Sequence, residues 1–469
     1  MTAMPTLKIP TAAMLASESR TAELGDVRRS ERLGLVMEAV AREPGESFPE
    51  LMGGESELEA FYRFLNNESV DLQNVLGPHV ASTVARCAGE KAVLAIHDTT
   101  GLKFAGTSRI GLSRAKKGKQ ELFAHLSLAV APGESCIPLG VLAVETWART
   151  GPCKGKRSNK KLLADPARES LRWHRSVEAV EDRLKGYDVD AVHVMDREGD
   201  SYALFAMMVE VRRRFVVRLA HDRKLADEMK LFDAVESAQA LLGREVRISA
   251  RKPGRNPRER RLHPARSERT AKLAISAKSV VLTRPESAAR TFPKQLSINV
   301  VLVQETNPPP GAAPVLWRLV TTEPIDSPEA LAAIVDAYRT RWLIEEFFKA
   351  LKTGCQIERR QLESRKAIEV AMGVFLPIAW RLLLLRAVAR RAPKQPNRAL
   401  TSEQVEVLRA CGKAPLKKNP TNHEALMALA ALGGHIKNNG DPGWIVLGRA
   451  YEKLLLLEAG WRARERSEM

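Results

Sequence analysis

Cysteine is scarce and scattered in this 469-residue chain. Its five cysteines are odd in number, and no two of them form a CxxC pair. Disulfide frameworks and structural zinc sites use closely spaced sets of cysteines, so this pattern argues against both. We therefore expect a protein of a reducing compartment, the cytoplasm.

Long uninterrupted hydrophobic runs are also missing. The first residues are mixed in charge and contain no hydrophobic signal core. The most apolar segment, Val370 to Leu385, is interrupted by Arg381 and flanked by Glu369 and Arg386. Because a membrane-spanning helix needs roughly 20 apolar residues, this segment is predicted to be a buried helix, and we expect no membrane partner.

Acidic residues are outnumbered by basic ones. The chain has 74 Lys and Arg against 56 Asp and Glu, a formal net charge of +18. Such a surplus indicates a polyanionic partner, either nucleic acid or an anionic membrane. Many basic proteins bind nothing specific, so charge alone leaves the partner open.

Hydrophobic residues make up 44% of the chain, which is ample for buried cores, and the length predicts two to four domains.

The pattern of apolar and charged residues changes along the chain. Residues 1 to about 85 are helical in pattern and rich in arginine, which is typical of a DNA-binding module and also of charged, solvated helices. Short apolar runs then alternate with helical patterns, which predicts an α/β domain. A β-rich insertion is expected at about 221–325. Its segment Arg251 to Lys272 holds nine Lys or Arg against two Glu, either a phosphate-binding arm or a solvated loop. The chain is helical again from Ser327.

Two aspartates follow short, apolar, strand-like runs. Asp98 comes after Ala92 to Ile96, and Asp196 comes after Ala191 to Met195. A carboxylate at the end of a buried strand is held rigidly at the edge where open α/β sheets place ligands. Each aspartate alone could equally be a helix N-cap or a turn residue. Two of them in one predicted sheet make a functional pair the better interpretation.

The segment Tyr338 to Lys352, YRTRWLIEEFFKALK, is predicted to be one helix. At 3.6 residues per turn its Tyr338, Arg341, Glu345 and Lys352 fall within a sector of about 60°. Trp342 and Lys349 lie on the same side. This face could be an exposed ion-paired surface, because Arg341 and Glu345 are an i,i+4 pair. The aromatic rings favour a face that something covers.

Asp98, Asp196 and Glu345 together have the chemistry of a magnesium site. Hard divalent ions prefer carboxylate oxygens. Two Mg²⁺ ions can activate the attacking oxygen and stabilise the leaving oxygen of a phosphoryl transfer. Cations and aromatic rings beside the glutamate suit flanking phosphates and an unpaired base.

The order of these motifs resembles a known family. Asp98, Asp196 and Tyr338-x2-Arg341-x3-Glu345-x6-Lys352 are similar to the DDE signature and YREK motif of the insertion-sequence-four family of bacterial transposases. Further similar segments occur in the same order along nearly the whole chain: LGDVRR, FYRF, AIHDTT, VMDREGDSYAL, NPPPG, WRLVTTEP, YRTRWLIEEFFKALKTGC and LGGHIKNNGDPGW.

The resemblance implies an α/β fold in three parts. These are a helical DNA-binding domain at 1–85, an RNase H-like mixed-sheet catalytic domain at 86–362 with the β-rich insertion, and a helical dimerisation domain at 363–469. It implies two Mg²⁺ ions per active site, with Mn²⁺ able to substitute. It also implies a homodimer on paired transposon ends and target DNA, in a bacterial cytoplasm at the nucleoid. The implied steps are hydrolysis, hairpin formation, hairpin opening and strand transfer.

The resemblance also implies roles for individual residues. Tyr338, Arg341 and Lys352 would hold phosphates near a flipped base, with Trp342 beside them. Trp317 would receive that base, although a strand tryptophan of the core is the alternative. The candidates for recognising the transposon ends are Arg28, Arg29, Arg32 and Arg63.

Two acidic residues near the motifs are given other roles. Glu346 is about 100° from the Tyr/Arg/Lys face, which leaves Glu345 as the ligand. Asp200 is expected to cap the helix that begins at Ser201.

Two other functions fit the same residues. One is an RNase H-like nuclease that cuts but does not join DNA. The other is a catalytically silent, transposase-derived regulator that only binds DNA.

Overall fold

The computed structural model describes residues 9–133, 136–149, 168–248, 250, 253–254, 257, 260, 264–391, 393–397, 399–436 and 442–468. The chain divides into two compact units. The first comprises Met1–Lys156, Glu178–Val189 and Trp342–Met469, and the second comprises Arg157–Val177 and Asp190–Arg341.

The first unit begins with five helices, as the helical pattern of residues 1 to about 85 predicts: α1 Ala12–Ser19, α2 Val27–Arg42, α3 Phe48–Leu51, α4 Glu55–Leu65 and α5 Leu72–Cys87. Short polar residues start them. The side chains of Thr11, Asp26 and Asp71 accept hydrogen bonds from the first turns of α1, α2 and α5, which satisfies amide groups that have no partner inside the helix.

Four antiparallel strands follow: β1 Ala92–Ala105, β2 Ser113–Ala115, β3 Lys119–Val130 and β4 Pro138–Trp147. β3 pairs with β1, β2 and β4. The sequence pattern predicts that the first strand ends at Asp98, but β1 continues for seven more residues. Its second half alternates buried Thr100, Leu102 and Phe104 with more exposed residues, which is the periodicity of a strand with one buried face.

The remaining helices of the first unit are α10 Trp342–Lys349, α11 Arg365–Arg391, α12 Ser402–Cys411, α13 Asn422–Leu432 and α14 Trp444–Glu468. The prediction of a buried helix at Val370 to Leu385 is confirmed by α11. This helix is long and apolar enough to cross a membrane by composition, but 94% of its most apolar window is buried inside the protein.

One charged side chain inside α11 has a buried hydrogen-bond partner. Arg381, 1% exposed, donates a hydrogen bond from Nη2 to Glu452 Oε1 of α14 at 2.8 Å. Burial raises the pKa of Glu452 to about 8. The hydrogen bond therefore gives the arginine that interrupts the apolar run of α11 a polar partner inside the core.

The second unit is built on one mixed sheet of six strands: β5 Asp190–Met195, β6 Arg214–Arg218, β7 Ala240–Ile248, β8 Arg269–Thr283, β9 Gln295–Glu305 and β10 Leu316–Thr321. Their order is β5-β6-β10-β9-β8-β7. The β5–β6 pair is parallel, and the other neighbours are antiparallel. The helices are α6 Arg172–Leu184, of which residues from Glu178 belong to the first unit, α7 Tyr202–Glu210, α8 Leu231–Glu236 and α9 Pro328–Thr340.

The core of the second unit joins the predicted insertion to the strands before it. Phe205 of α7 and Phe215 of β6 stack at 5.7 Å, and they share one buried cluster with Leu282 of β8, Val300 of β9 and Val320 of β10. The strands predicted in the insertion are therefore present, and they continue a single mixed sheet. Most of Arg251 to His263, the first half of the predicted basic arm, lies outside the described residues.

These elements confirm the α/β prediction, since a large mixed sheet is combined with many helices.

Candidate active site

Asp98 lies in the middle of β1, opposite Leu126 of β3. It is partly exposed, and its Oδ1 accepts a hydrogen bond from the Thr99 amide at 2.7 Å. Because side chains alternate along a strand, Asp98 faces away from His97 and Thr99. The sheet pairing of β1 with β3 holds it in place.

A polar network occupies the other face of the same two strands. His97 Nδ1 lies 2.8 Å from Ser127 Oγ, and Thr99 Oγ1 lies 2.9 Å from His125 Nδ1. The two imidazoles are almost parallel, with ring centres 6.2 Å apart. Both histidines are buried. These cross-strand pairs fix the register of β1 at Asp98, and sequence reasoning did not identify them.

Glu345 belongs to the first turn of α10, which packs against β1. The adjacent Glu346 faces the core helix, where its Oε2 lies 3.8 Å from Arg386 Nε of α11. Both side chains of this pair are nearly buried, at 13% and 12% exposure. The Arg386 guanidinium also lies 4.3 Å over the ring of Trp444. Glu346 is thus used to fix α10, and Glu345 remains the predicted ligand.

The prediction of one helix from Tyr338 to Lys352 is wrong. α9 ends at Thr340, α10 begins at Trp342, and a π-helical turn occupies Ala350–Gly354. Next to the first interruption, the buried Thr340 hydroxyl donates to the Asp336 carbonyl at 2.8 Å. Such a bond competes with the helical hydrogen bond and bends helices. The Arg341 amide accordingly bonds to the Tyr338 carbonyl, one residue closer than in an α-helix.

Lys352 lies in the π-helical turn and is attached to the strand of Asp98. Its Nζ donates to the Gly101 carbonyl of β1 at 2.8 Å and lies 3.9 Å from Glu358. Burial lowers the pKa of this ammonium, and Lys103 lowers it further, while Glu358 and Glu121 oppose the shift. A π-turn often marks a functional position in a helix. The turn here brings a partly desolvated cation to the strand of Asp98.

Trp342 keeps half of its surface exposed at the start of α10. Lys349 Nζ lies 4.5 Å above the centre of its ring. The aromatic ring and the cation therefore lie together on the surface of the first unit, as the sequence pattern predicts.

In the second unit, Asp196 follows β5 directly and caps a short 3-10 turn, Arg197–Gly199, by accepting from the Glu198 amide at 2.8 Å. Burial lowers the pKa of the neighbouring Arg197. The cations Arg218 and Arg318 lower it further, while Tyr338 and Asp196 oppose the shift. Asp196 is therefore part of a cluster of arginines.

Two aromatic residues complete this cluster. The rings of Trp317 and Tyr338 meet edge to face, with centres 5.4 Å apart. Tyr338 is buried, whereas Trp317 is only half-buried and is not a core residue. Sequence reasoning found both aromatics but missed Arg197, Arg218 and Arg318. The first of these directly follows Asp196, and that adjacency could have indicated it.

Asp200 does not cap the helix that follows it, so that prediction is wrong. Its Oδ2 accepts from the amides of Ala220 and His221 at 2.6 and 2.8 Å, and its carboxylate forms an ion pair with Arg223 at 2.5 Å. Asp200 therefore anchors the loop after β6. Its side chain is fully buried, which gives it a structural role.

Three of the predicted end-recognition arginines contact groups within the helical module. Arg28 binds the Asp26 carboxylate, Arg29 donates to the Leu24 carbonyl at 2.8 Å, and Arg63 lies 3.5 Å from Glu59. Arg32 lies on the same helix as Arg28 and is half-buried. A role for these four in DNA recognition stays a prediction.

The helical module is also joined to the segment after Lys352. Arg360, 5% exposed, donates to the main-chain carbonyls of Pro44, Glu46 and Cys355. Its guanidinium lies over the rings of Phe48 and Phe375, at 5.0 and 4.8 Å from their centres. The α2–α3 loop is thereby fixed to the segment that follows Lys352.

The predicted metal ligands fit a hard divalent ion by chemistry, since all three are carboxylates. Asp98 and Glu345 belong to the first unit, and Asp196 belongs to the second. Within the described residues, no group of three or more His, Cys, Asp or Glu is gathered in a metal-binding arrangement. The metal site therefore stays a prediction.

Two family models match the chain. One, described as Transposase DNA-binding, matches residues 11–70. The other, described as Transposase DDE domain, matches residues 90–376, which is more than half of the chain and includes Asp98, Asp196 and Glu345.

Among solved structures, the chain is similar to the cryo-EM structure of the piggyBac transposase synaptic complex with hairpin DNA. The likeness covers 83% of this chain and 74% of that chain, at 9% sequence identity and a TM-score of 0.35. The family is shown by the match to the Transposase DDE domain.

Proposed function

This chain belongs to the family of DNA transposases that carry a DDE domain, and we propose from that premise that it performs cut-and-paste transposition. It binds the terminal repeats of its element, cleaves DNA through a hairpin intermediate and joins the freed 3′-OH ends to target DNA. The motif order favours the insertion-sequence-four group with its YREK motif, and is similar to that of the transposon-five transposase. The active form is a homodimer on two paired ends.

One observation in the first unit carries the proposal. Asp98 on β1 and Glu345 on α10 are carried by elements that pack together, and Lys352 bonds to the Gly101 carbonyl of the same strand. Two carboxylates and a partly desolvated cation on adjoining elements suit a phosphate group and its divalent ions. A structural ion-pair network alone would not need a partly buried lysine bonded to a main-chain carbonyl.

Asp98, Asp196 and Glu345 would hold two Mg²⁺ ions, or Mn²⁺ in their place. When bound, these ions would activate the attacking oxygen and stabilise the leaving oxygen of an in-line phosphoryl transfer. The same carboxylates would serve hydrolysis, hairpin formation, hairpin opening and strand transfer, since each step exchanges one oxygen for another at phosphorus.

The cations and aromatic residues position the DNA. Lys352 and Arg341 would bind the phosphates that flank the scissile bond, and Trp342 would lie beside them. In the second unit, the half-buried ring of Trp317 rests against Tyr338 and offers a stacking surface for a flipped base. Flipping costs a few kcal/mol of lost base stacking, which an aromatic receptor offsets. Arg197, Arg218 and Arg318 add positive charge around Asp196.

Cleavage of a labelled duplex that carries the element's own terminal repeat tests the proposal. Wild type is compared in Mg²⁺ with Glu345→Ala and with Glu406→Ala, which removes an exposed glutamate of α12. Nicked and hairpin products from wild type and Glu406→Ala, but not from Glu345→Ala, are expected.

Three other outcomes would overturn the proposal. End binding without cleavage by any of the three proteins would indicate a silent, transposase-derived regulator. Cleavage by Glu345→Ala would place the active site elsewhere. Nicks that never mature into hairpin or joined products would indicate a nuclease that does not join DNA.

A further inference from the structure

Between Asp98 and Glu121 the chain contains six basic residues and no acidic one. Four of the six, Arg114, Lys116, Lys117 and Lys119, lie at the β2–β3 turn. We call residues 113–120 the basic hairpin. At the frequency of Asp and Glu in the whole chain, 56 of 469 residues, a stretch of this length would contain two or three acidic residues. The hairpin is therefore a local concentration of positive charge.

The four cations are presented to solvent. All four residues are exposed, and within the described part of the chain none of them forms an ion pair with an acidic side chain. Lys103, at the base of the hairpin, differs in this respect, because its Nζ lies 4.0 Å from Glu121. Unneutralised cations at the tip of a hairpin repel one another, an unfavourable arrangement that an anionic partner relieves.

The base of the hairpin is fixed in place. The Gln120 side chain, 3% exposed, accepts from the Arg109 amide and donates to the Arg109 carbonyl, both at 2.8 Å. The main chain of Ile110 bonds to Glu363 and Arg365 at the start of α11, also at 2.8 Å.

The turn itself is tight. Lys117 and Gly118 adopt left-handed backbone conformations, with φ of 62° and 64°. The basic hairpin is therefore a preformed ribbon, and binding would cost little backbone ordering.

The position of the hairpin relative to Asp98 follows from the strand register. Asp98 pairs with Leu126, and Ala105 pairs with Lys119 at the start of the turn. Seven residues of extended strand span about 23 Å. Duplex DNA advances 3.4 Å per base pair, so a duplex that runs along β1 covers this distance in about seven base pairs.

We propose that the basic hairpin binds the phosphate backbone of duplex DNA about seven base pairs from the bond that is cut, independently of base sequence. The inference rests on the proposed function, because Asp98 then marks the position of the cut. The contact adds a second DNA-binding surface to the helical module at the N-terminus.

The test removes four positive charges at the hairpin or elsewhere. The hairpin variant carries Arg114→Gln, Lys116→Gln, Lys117→Gln and Lys119→Gln. The control variant carries four glutamines at other exposed lysines of the same unit: Lys91, Lys185, Lys413 and Lys418. Both proteins lose the same net charge. Because all the altered side chains are exposed, both should fold, and melting temperatures equal to wild type verify this.

Binding to a duplex without the terminal repeat is measured without divalent ions over a range of salt concentrations. Each phosphate contact contributes about 0.9 to the slope of log K against log salt, so the hairpin variant should lose about three to four units of slope. The control variant should lose less than about one. Equal slopes for the hairpin variant and wild type, or equal losses in the two variants, would overturn the proposal.

Cleavage then tests the distance. When the duplex beyond the cut is shortened to fewer than about seven base pairs, cleavage by wild type should fall to the level of the hairpin variant. Cleavage by the hairpin variant should not depend on this length. If cleavage by wild type does not fall at any duplex length, the assigned position of the hairpin is wrong. If wild type cleaves nothing, the proposed function fails, while the salt slopes still decide whether the hairpin binds DNA.

Discussion

The Lys352 ammonium donates a hydrogen bond to the main-chain carbonyl of Gly101 at 2.8 Å. This contact joins the π-helical turn after α10 to the strand that carries Asp98, three residues before Gly101. Burial lowers the pKa of Lys352, so the folded protein maintains a cation there at some cost in stability. Such a cost is typical of a group that is retained for function.

Replacing Lys352 with methionine should separate activity from stability. The variant loses the charge but keeps an unbranched side chain that is only one atom shorter, so the relief of desolvation offsets the lost hydrogen bond. Its melting temperature should stay within a few degrees of wild type, while cleavage should fall about 100-fold, the effect of losing one charge-stabilising donor. A variant that melts well below wild type but keeps its specific activity while folded would show that Lys352 is only structural.

The pH profile gives a second readout of the same residue. A lysine with a lowered pKa loses its proton at a lower pH than an exposed lysine. Wild-type cleavage should therefore decline on the alkaline side below pH 10.5, the ordinary value for lysine. The Lys352→Met variant should lack this decline, and an identical alkaline decline in both proteins would assign it to another group.

Asp196 and Asp200 offer a matched pair of substitutions. Asp196→Asn keeps a good helix-capping residue but removes a predicted metal ligand, so cleavage should be abolished at nearly unchanged stability. Asp200→Asn removes one partner of the buried ion pair with Arg223, which should lower the free energy of unfolding by about 2–3 kcal/mol. Calorimetry and cleavage assays on both variants would show the opposite pattern if Asp200 were the ligand.

The Glu346–Arg386 pair should couple α10 to α11. Both side chains are nearly buried, so a double-mutant cycle with Glu346→Gln and Arg386→Gln should give a coupling energy of about 1–2 kcal/mol. The exposed pair Lys417–Glu424 serves as the control and should show no measurable coupling. Equal coupling in the two pairs would mean that burial does not strengthen the first.

His174 should make stability depend on pH. Burial, and then Arg168 and Arg175, lower its pKa to about 4 in the folded chain, whereas the unfolded chain has the ordinary value near 6.5. Below pH 6.5 the unfolded chain therefore binds more protons, so stability falls as the pH drops from about 6.5 to about 4. The loss from this group amounts to about 3 kcal/mol.

The measurement for His174 is the difference in melting temperature between wild type and His174→Gln at pH 7.5 and at pH 4.5. Wild type should lose stability relative to the variant at the lower pH. His423→Gln, which alters an exposed histidine of α13, is the control and should follow wild type at both values. Parallel curves for all three proteins would contradict the prediction.

The sequence predicts elements well where one local pattern decides them. The strands and helices around Asp196 are apolar runs bounded by polar residues, and they form as expected. β1 is underestimated because Thr99, Thr100 and Gly101 mask the alternation that resumes at Leu102. The helix over Tyr338 to Lys352 is divided because the Thr340 side chain bonds to a main-chain carbonyl, and periodicity does not report such a contact.

Groups brought together from distant parts of the chain could not be predicted in the same way. Arg218 and Arg318 are 100 residues apart in sequence and meet because β6 and β10 are neighbours. Asp200 bonds to residues twenty positions later, whereas a local rule assigns it to the next helix. Burial and strand order determine these contacts, and neither can be read from the neighbouring residues.

Arg360 holds the helical module at a fixed distance from the segment that follows Lys352. Its three main-chain hydrogen bonds and two ring contacts fix the loop after α2 to the segment that follows Lys352. A module on a flexible tether would tolerate inserted spacer DNA between the bases it recognises and the bond that is cut. Under the proposed function, one base pair inserted into the repeat would displace the bond to be cut by 3.4 Å and rotate it by about 35° relative to a module held by Arg360. The spacing within the repeat would then be as strict a requirement as its sequence.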